Sequence, residues 1–413
     1  MEEILEKRAT MNIVFLTLSV MDDLSQSGIY TDLLRKFIKE GHNVHVISPA
    51  PRGVKLDKYY YTDSLGATII RVKTLKNTKC SIIEKGFSML TISCLMKRTI
   101  SRYISKMSVD LIIYSTPPIT FLSIVKYLKK KFPKAKSYLL LKDIVPDAVV
   151  DLQIFSKKSL LYKYYRAIEK ELYKISDYIG CMSPANVRYC LEHNSYISSD
   201  RIELAPNSIE LKEFEPVSYT KIRKKNDLPI DKPIFIYGGN LGKPQAIDFI
   251  IKVLEYNKSR DDRFFLIIGS GTEFLKLNNW FIHNRPSNAK LLDALPVVDY
   301  DNLLKVSDVG LIFLDHRYTI PNYPSRLLSY LSYKKPIIAA TDINTDVGTI
   351  AETNGYGFSC DSVDPANFTA YVDIFVENQS LAKSMGEKGY KYLCDNYLVE
   401  NTYNAIIKHF DNN

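Results

Sequence analysis

The sequence predicts an α/β protein built from two doubly wound domains, each a parallel sheet with helices on both faces. Apolar runs of strand length alternate with amphipathic helical segments along the chain, the pattern of successive βα units. The alternation falls into two consecutive series that meet near Asn207, and 413 residues suffice for two domains of ordinary size.

In the first series residues 12–18 read as an apolar strand, 29–40 as an amphipathic helix closed by Gly41, and 43–48 as the next strand. Further strands are expected at 68–72 and 111–115. A helix runs from near Ile119, just after Pro117-Pro118, to Phe132; strand 138–141, helix 160–176 and strand 178–182 complete this half. The second series places strands at 234–237, 264–268, 290–292, 309–314 and 337–339, with helices between them and two last helices at 381–393 and 401–410. Residues 210–232, with Pro216, Pro229 and mixed charge, read as a connector.

Composition narrows the function classes. With 46% hydrophobic and 24% charged residues the chain reads as soluble and globular. Residues 1–10 lack the basic stretch and apolar core of a secretory signal, and uncharged apolar runs such as 87–96 are too short to span a bilayer. Six scattered cysteines (80, 94, 181, 190, 360 and 394) fit reduced thiols in a cytoplasm and argue against a structural zinc site. None of the six histidines shows metal spacing; His42 and His45 read as structural, and His316 as a loop residue or a ligand contact. A net charge of +9 suits an anionic partner, but no zinc-finger spacing, aromatic RNP-type strand or arginine-rich arm points to nucleic acid.

Candidate chemistry gathers on the ends of the second series of strands. Strand 309–314 leads by a short loop into Asn322-Tyr323-Pro324-Ser325-Arg326-Leu327, where Pro324 suits the first turn of a helix and Ser325 and Arg326 follow it. Free N–H groups at a helix start, the helix dipole and a guanidinium together make a site for a diphosphate. Tyr237-Gly238-Gly239-Asn240-Leu241-Gly242-Lys243 offers a glycine-rich nest with a lysine, and Ile268-Gly269-Ser270-Gly271 a second glycine turn on the same rim. Neither matches the P-loop or GxGxxG, so triphosphate hydrolysis and hydride transfer lose support.

The first series carries weaker signals. Gly28 opens a helix after Ser25-Gln26-Ser27, where it allows either a ligand's close approach or a plain tight turn. Asp143 and Asp147 end a strand; helix capping accounts for Asp147 more readily than catalysis does. Arg98, Arg102 and Lys106 recur every four residues on an otherwise apolar segment, giving either a packed helix or a basic face for an anionic membrane. The lysines at 126, 129, 130, 131, 134 and 136 would add about 1 kcal/mol each near such a surface, unless they are simply solvated.

From Met11 onward the landmarks resemble, in order, those of a retaining GT-B glycosyltransferase of the family 4 type. The capsule, O-antigen and exopolysaccharide branch, with its fucosamine transferase-like members, is the nearest. They are Gly41-His42-Asn43-Val44-His45-Val46-Ile47, Ser115-Thr116-Pro117-Pro118, Lys142-Asp143-Ile144-Val145-Pro146-Asp147, Pro206-Asn207-Ser208-Ile209, Gly239 through Gln245, and Pro324-Ser325-Arg326 with Tyr330-Leu331 and Lys335-Pro336-Ile337. The resemblance implies two Rossmann-like domains facing a cleft: an acceptor domain at 11–206, a nucleotide-sugar domain at 207–395, and 396–413 crossing back onto the first. It implies no metal and no cofactor, because Lys243 and Arg326 would neutralise the leaving diphosphate. Gly28, Gly239, Asn240, Gly269, Pro324 and Ser325 would line the donor, Val297 would sit beside the base, and Asp143 would orient acceptor or sugar. Two glutamates common in the family are replaced here: Ser329 stands where one grips the ribose, and the other falls near Pro321.

On this reading the protein transfers a sugar, with retention, from a nucleotide diphosphate, UDP-linked by expectation, to a lipid-linked saccharide. It would work as a peripheral protein at the cytoplasmic face of an anionic membrane. A sugar-nucleotide 2-epimerase and a non-catalytic nucleotide-sugar-binding subunit are the alternatives.

Overall fold

The computed structural model describes residues 9–53, 58–75, 82–104, 107–153, 156–211 and 217–410. The chain runs β1 (Asn12–Leu16), α1 (Ile29–Lys39), β2 (Asn43–Pro51), β3 (Tyr60–Thr62), β4 (Thr68–Thr74), α2 (Ile82–Tyr103), β5 (Leu111–Thr116), α3 (Leu122–Lys131), β6 (Lys136–Leu141), α4 (Val145–Asp151), α5 (Leu160–Ile175), β7 (Tyr178–Cys181), α6 (Pro184–His193) and β8 (Ile202–Leu204). It continues with α7 (Tyr219–Lys225), β9 (Ile234–Asn240), α8 (Ile247–Asn257), β10 (Phe264–Ser270), α9 (Phe274–Asn284), β11 (Ala289–Leu292), α10 (Val297–Lys305), β12 (Val309–Phe313), α11 (Arg326–Ser332), β13 (Ile337–Thr341), α12 (Val347–Thr353), β14 (Gly357–Asp361), α13 (Pro365–Glu377), α14 (Gln379–Asn396) and α15 (Val399–Ile407).

Two compact units result. The first comprises residues 1–146, 155–210 and 399–413, and the second 147–154 and 211–398. The first sheet has the order β3-β4-β2-β1-β5-β6-β7-β8, parallel except for the antiparallel β3–β4 pair. Its central strands are buried on both faces, so they read as unbroken apolar runs. Helix starts follow local chemistry. Ser159 accepts from the Tyr162 N–H at 3.1 Å to open α5, and Ser183, followed by Pro184, opens α6. α15 packs on α1: the Tyr403 ring meets Phe37 edge-on at 5.0 Å, and its hydroxyl lies 3.1 Å from His42 Nε2. His42 is thereby structural, its Nδ1 also accepting the Met11 N–H at 3.2 Å.

The second sheet, ordered β11-β10-β9-β12-β13-β14, is wholly parallel. Its core packs α8 and α13 over Phe235, Leu311 and Phe313. The segment 147–154 belongs to this unit because Asp151 accepts from the Thr319 N–H at 2.7 Å and its hydroxyl at 2.9 Å.

Several sequence expectations need correction. The connector 210–232 contains α7, whose Arg223 guanidinium is fully buried; it donates to the Val306, Pro229 and Lys232 carbonyls and pairs with Asp308 at 2.7 Å. The connector's 212–216 lie outside the described residues, as do residues 1–8, Cys80 and Lys106 of the basic stripe. In the described part of α2, Ile92, Met96 and Ile100 are buried in the first unit, whereas Arg98 and Arg102 are exposed. The apolar face is therefore already covered, and only the basic face is left for another surface. Of the later lysines, Lys129 is held by Asp177 at 2.7 Å and Lys136 lies over Tyr178, so the cluster is partly spent on internal partners. Among the described residues no helix is long and apolar enough to cross a membrane.

Candidate functional site: an arginine among three tyrosines

The strongest candidate lies at the carboxyl end of β9 in the second unit. Here Tyr237-Gly238-Gly239-Asn240 is extended and paired with β10, Gly269 opposite Gly239 and Ser270 opposite Asn240. Two glycines clear the sheet surface for aromatic rings. A Cβ on Gly238 would lie 2.2 Å from the Tyr300 ring, and one on Gly310 would lie 2.4 Å from the Tyr330 ring. Tyr330 donates from its hydroxyl to the Leu311 carbonyl at 3.0 Å, and Tyr237 donates to the Asn240 carbonyl at 2.6 Å. Burial pushes Tyr330 up to about 12 against the pull of Arg326, so its phenol stays neutral.

Arg326 sits among these rings. Its guanidinium carbon lies 4.3 Å from the Tyr237 ring centroid, and a Cβ on Gly239 would come within 3.3 Å of it. Gly239 adopts φ +140°, where a side chain would be strained as well as crowded. Among the described residues no carboxylate forms an ion pair with Arg326, and its buried Nη1 has no hydrogen-bond partner. Arg326 as a whole is half-buried, and a sequestered donor left without a partner is costly, so an incoming anion would find an unmet hydrogen bond here.

The expected anion site at a helix start is only partly realised. α11 begins at Arg326 and is seven residues long, so Pro324 precedes it instead of occupying its first turn. Its first N–H groups are used: Leu327 donates to the Pro324 carbonyl at 3.2 Å and Leu328 to the Ser325 carbonyl at 3.1 Å. The charge, not the helix end, carries this site. Ser325 is exposed and makes no capping bond, and Ser329, half-buried, follows Arg326 by three residues on the same face. Val297 is 73% exposed at the start of α10, one turn before Tyr300.

The glycine turns serve packing more than anion binding. A Cβ on Gly269 would fall 1.9 Å from the Gly239 carbonyl oxygen, and one on Gly271 2.4 Å from the Leu241 backbone. Asn240 is engaged too, donating to Gln245 Oε1 at 2.7 Å. Lys243 is exposed and lines a separate cavity of about 380 Å³ with Arg317 and His316; Arg326 does not line it. Lys243 therefore lines a cavity to which Arg326, its expected partner, does not contribute.

In the first unit, Gly28 has extended backbone (φ 176°) that any residue adopts, and its N–H is taken by Asp32 Oδ1 at 2.9 Å. It is a helix start rather than an open anion contact. Asp143 lies two residues beyond β6. It is exposed, but the packing around its carboxyl pushes its pKa up to about 6, with Lys142 pulling the other way. The Lys142 amine is pushed down to about 7 by the same crowding, against Cys181 and Asp143. Asp147 lies in the first turn of α4, where a carboxylate suits the helix dipole. Sequence reasoning missed Lys142 and the three tyrosines; the adjacency of Tyr237 to Gly238-Gly239 was the one visible hint. Among the described residues no cluster of three or more His, Cys, Asp or Glu side chains is arranged to hold a metal.

Two α/β units built on parallel sheets are the architecture of the GT-B fold, and solved structures agree on it. The chain resembles the sucrose-phosphate synthase of Thermosynechococcus elongatus with a TM-score of 0.76, at 16% identity, covering 97% of this chain and 98% of that one. It resembles Anabaena Alr3699/HepE in complex with UDP with a TM-score of 0.68, at 12% identity, covering 97% and 99%. Residues 218–392, most of the second unit, match the family model described as Glycosyl transferases group 1. Two relatives carry related names. The probable glycosyltransferase WbjE of Pseudomonas aeruginosa is 21% identical over 249 residues, 59% of this chain and 60% of that protein's length. The putative colanic acid biosynthesis glycosyl transferase WcaI of Escherichia coli K12 is 22% identical over 365 residues, 83% and 86% of the two chains.

Proposed function

We propose that this protein is a retaining, metal-independent hexosyltransferase of surface polysaccharide assembly, taking a UDP-sugar as donor and a lipid-linked saccharide as acceptor. It would act as a peripheral protein on the cytoplasmic face of the membrane, reached through its basic surfaces. One observation carries the reading: the half-buried Arg326, without an ion-pair partner among the described residues, keeps a sequestered Nη1 that has no hydrogen bond. A diphosphate supplies the missing counter-charge, and it needs that charge most as the sugar departs and negative oxygen develops. Support comes from the group 1 match, from a neighbour of the same fold solved with UDP, and from relatives named for polysaccharide work.

The remaining roles follow from position. Gly239 brings the backbone against Arg326, and Asn240 and Gly269 hold that rim in shape. Pro324 and Ser325 lead the chain to the arginine, Ser329 replaces an acid at the ribose, and the uncovered Val297 methyls receive the base. Lys243 would reach the diphosphate by its exposed, flexible stem, and Asp143 would orient the acceptor. The epimerase alternative calls for carboxylates and a histidine about the leaving group, and three tyrosines surround Arg326 instead.

A thermal-shift panel of UDP, GDP, TDP and their sugar conjugates tests the reading. UDP and at least one UDP-sugar should raise the melting temperature most. A flat response to every nucleotide would remove the donor site.

A further inference from the structure

The cavity that Lys243 lines was not anticipated, and its makeup is specific. It is assembled from four segments of the second unit: Lys243 through Lys252, the start of α9, Asp315-His316-Arg317 after β12, and Ser362-Val363 after β14. Its three carboxylates already have partners. Asp315 is held by Arg317 through Nε at 2.8 Å and Nη2 at 2.7 Å, and this lowers its pKa further below the carboxylate range. Asp248 and Glu273 both face Lys276, at 2.5 and 3.9 Å. His316 is exposed, 3.7 Å from Asp315.

What remains is positive. Lys243 and Lys252 have no carboxylate within 4.0 Å among the described residues, and both line the cavity. Ser362 is 2% exposed, yet its Oγ has no hydrogen-bond partner. α8, eleven residues long, starts here from Ala246 with no side chain capping it. A buried hydroxyl without a partner, the Lys252 ammonium and an uncapped helix start call for the same thing, a small oxyanion. At about 380 Å³ the space also admits a small organic body attached to that anion.

We propose that this cavity is a second anion site, which binds a phosphate group independently of the diphosphate assigned to Arg326. The inference goes beyond the transferase reading and does not depend on it. The phosphate is free or carried on a sugar; the chemistry recognised is the same, a tetrahedral oxyanion held by Lys252, the Ser362 hydroxyl and the start of α8.

The test uses the full chain, with inorganic phosphate, a hexose 6-phosphate and UDP as probes in isothermal titration. Inorganic phosphate or the hexose phosphate should bind, and tighter binding of the second identifies the carried form. Binding should persist when UDP is saturating. Lys252→Gln with Ser362→Ala should weaken it at least fivefold while UDP affinity stays within twofold, and Arg326→Met should do the reverse. Three results overturn the proposal: neither phosphate probe binding, UDP displacing the phosphate, or the Lys252/Ser362 variant binding phosphate as tightly as wild type. Circular dichroism and the unchanged UDP titration establish that the variant is folded. Loss of UDP binding in wild type would instead strike the donor assignment and leave this site standing.

Discussion

Replacing Arg326 with methionine separates ligand binding from folding. The guanidinium now stacks on Tyr237 at 4.3 Å, a contact worth about 0.5–2 kcal/mol, which methionine partly retains through packing. Against that loss, removing the orphaned Nη1 relieves a buried unsatisfied donor, worth about 1–3 kcal/mol. The two effects nearly offset, so the ligand-free variant should melt within a few degrees of wild type or above it. With donor bound the balance changes. Two charge-assisted hydrogen bonds to the diphosphate, about 1.5–3 kcal/mol each, are lost, so kcat/KM should fall by roughly 10²–10⁴. Thermal unfolding with and without UDP, beside steady-state rates, reads both quantities. A rate within threefold of wild type, or a large drop in ligand-free stability, would refute the reasoning.

Three further perturbations probe different parts of the account. Gly310→Ala places a methyl about where the Tyr330 ring lies, 2.4 Å away, so it should cost about 1–3 kcal/mol in urea unfolding and weaken UDP binding with it; unaltered stability would show that the ring is free to move. His45 is buried in β2 with neither ring nitrogen partnered, and burial holds its pKa below the usual 6.5. Its unfolded form binds the proton first, so stability should be flat above about pH 6.5 and fall as the pH drops below it; His45→Leu should flatten that slope in pH-dependent denaturation, and an unchanged slope would exclude this residue. Asp143, with a pKa of about 6, should give kcat/KM an acid limb that falls below pH 6, which Asp143→Asn should abolish along with most activity; a persisting limb would assign it to another group.

The central strands were legible because both faces are buried: β1, β9 and β12 appear as uninterrupted apolar runs. Of the edge strands only β11 was read; β3, β8 and β14 were not. β14, Gly357-Phe358-Ser359-Cys360-Asp361, mixes polar and apolar residues because one edge is unpaired, and β3 has only three residues. Arg223 read as one more charge in a connector, since the carbonyls that bury it come from distant positions. At the candidate site the charge of Arg326 could be read, but not its cage. Tyr237, Tyr300 and Tyr330 come from three elements and meet only in the folded sheet; Gly238 read as part of a glycine-rich nest and Gly310 as one residue of a strand, although ring packing requires both. Lys243 stood beside the glycine turn in sequence, yet the chain's course after Gly242 takes it to another hollow.

The central claim is that Arg326 waits for a diphosphate. The most direct measurement is a crystal structure of the protein with UDP bound. It should place phosphate oxygens about 2.7–3.2 Å from Arg326 Nη1, filling the vacant hydrogen bond. A nucleotide bound with its diphosphate elsewhere, and Nη1 still unpartnered, would contradict it.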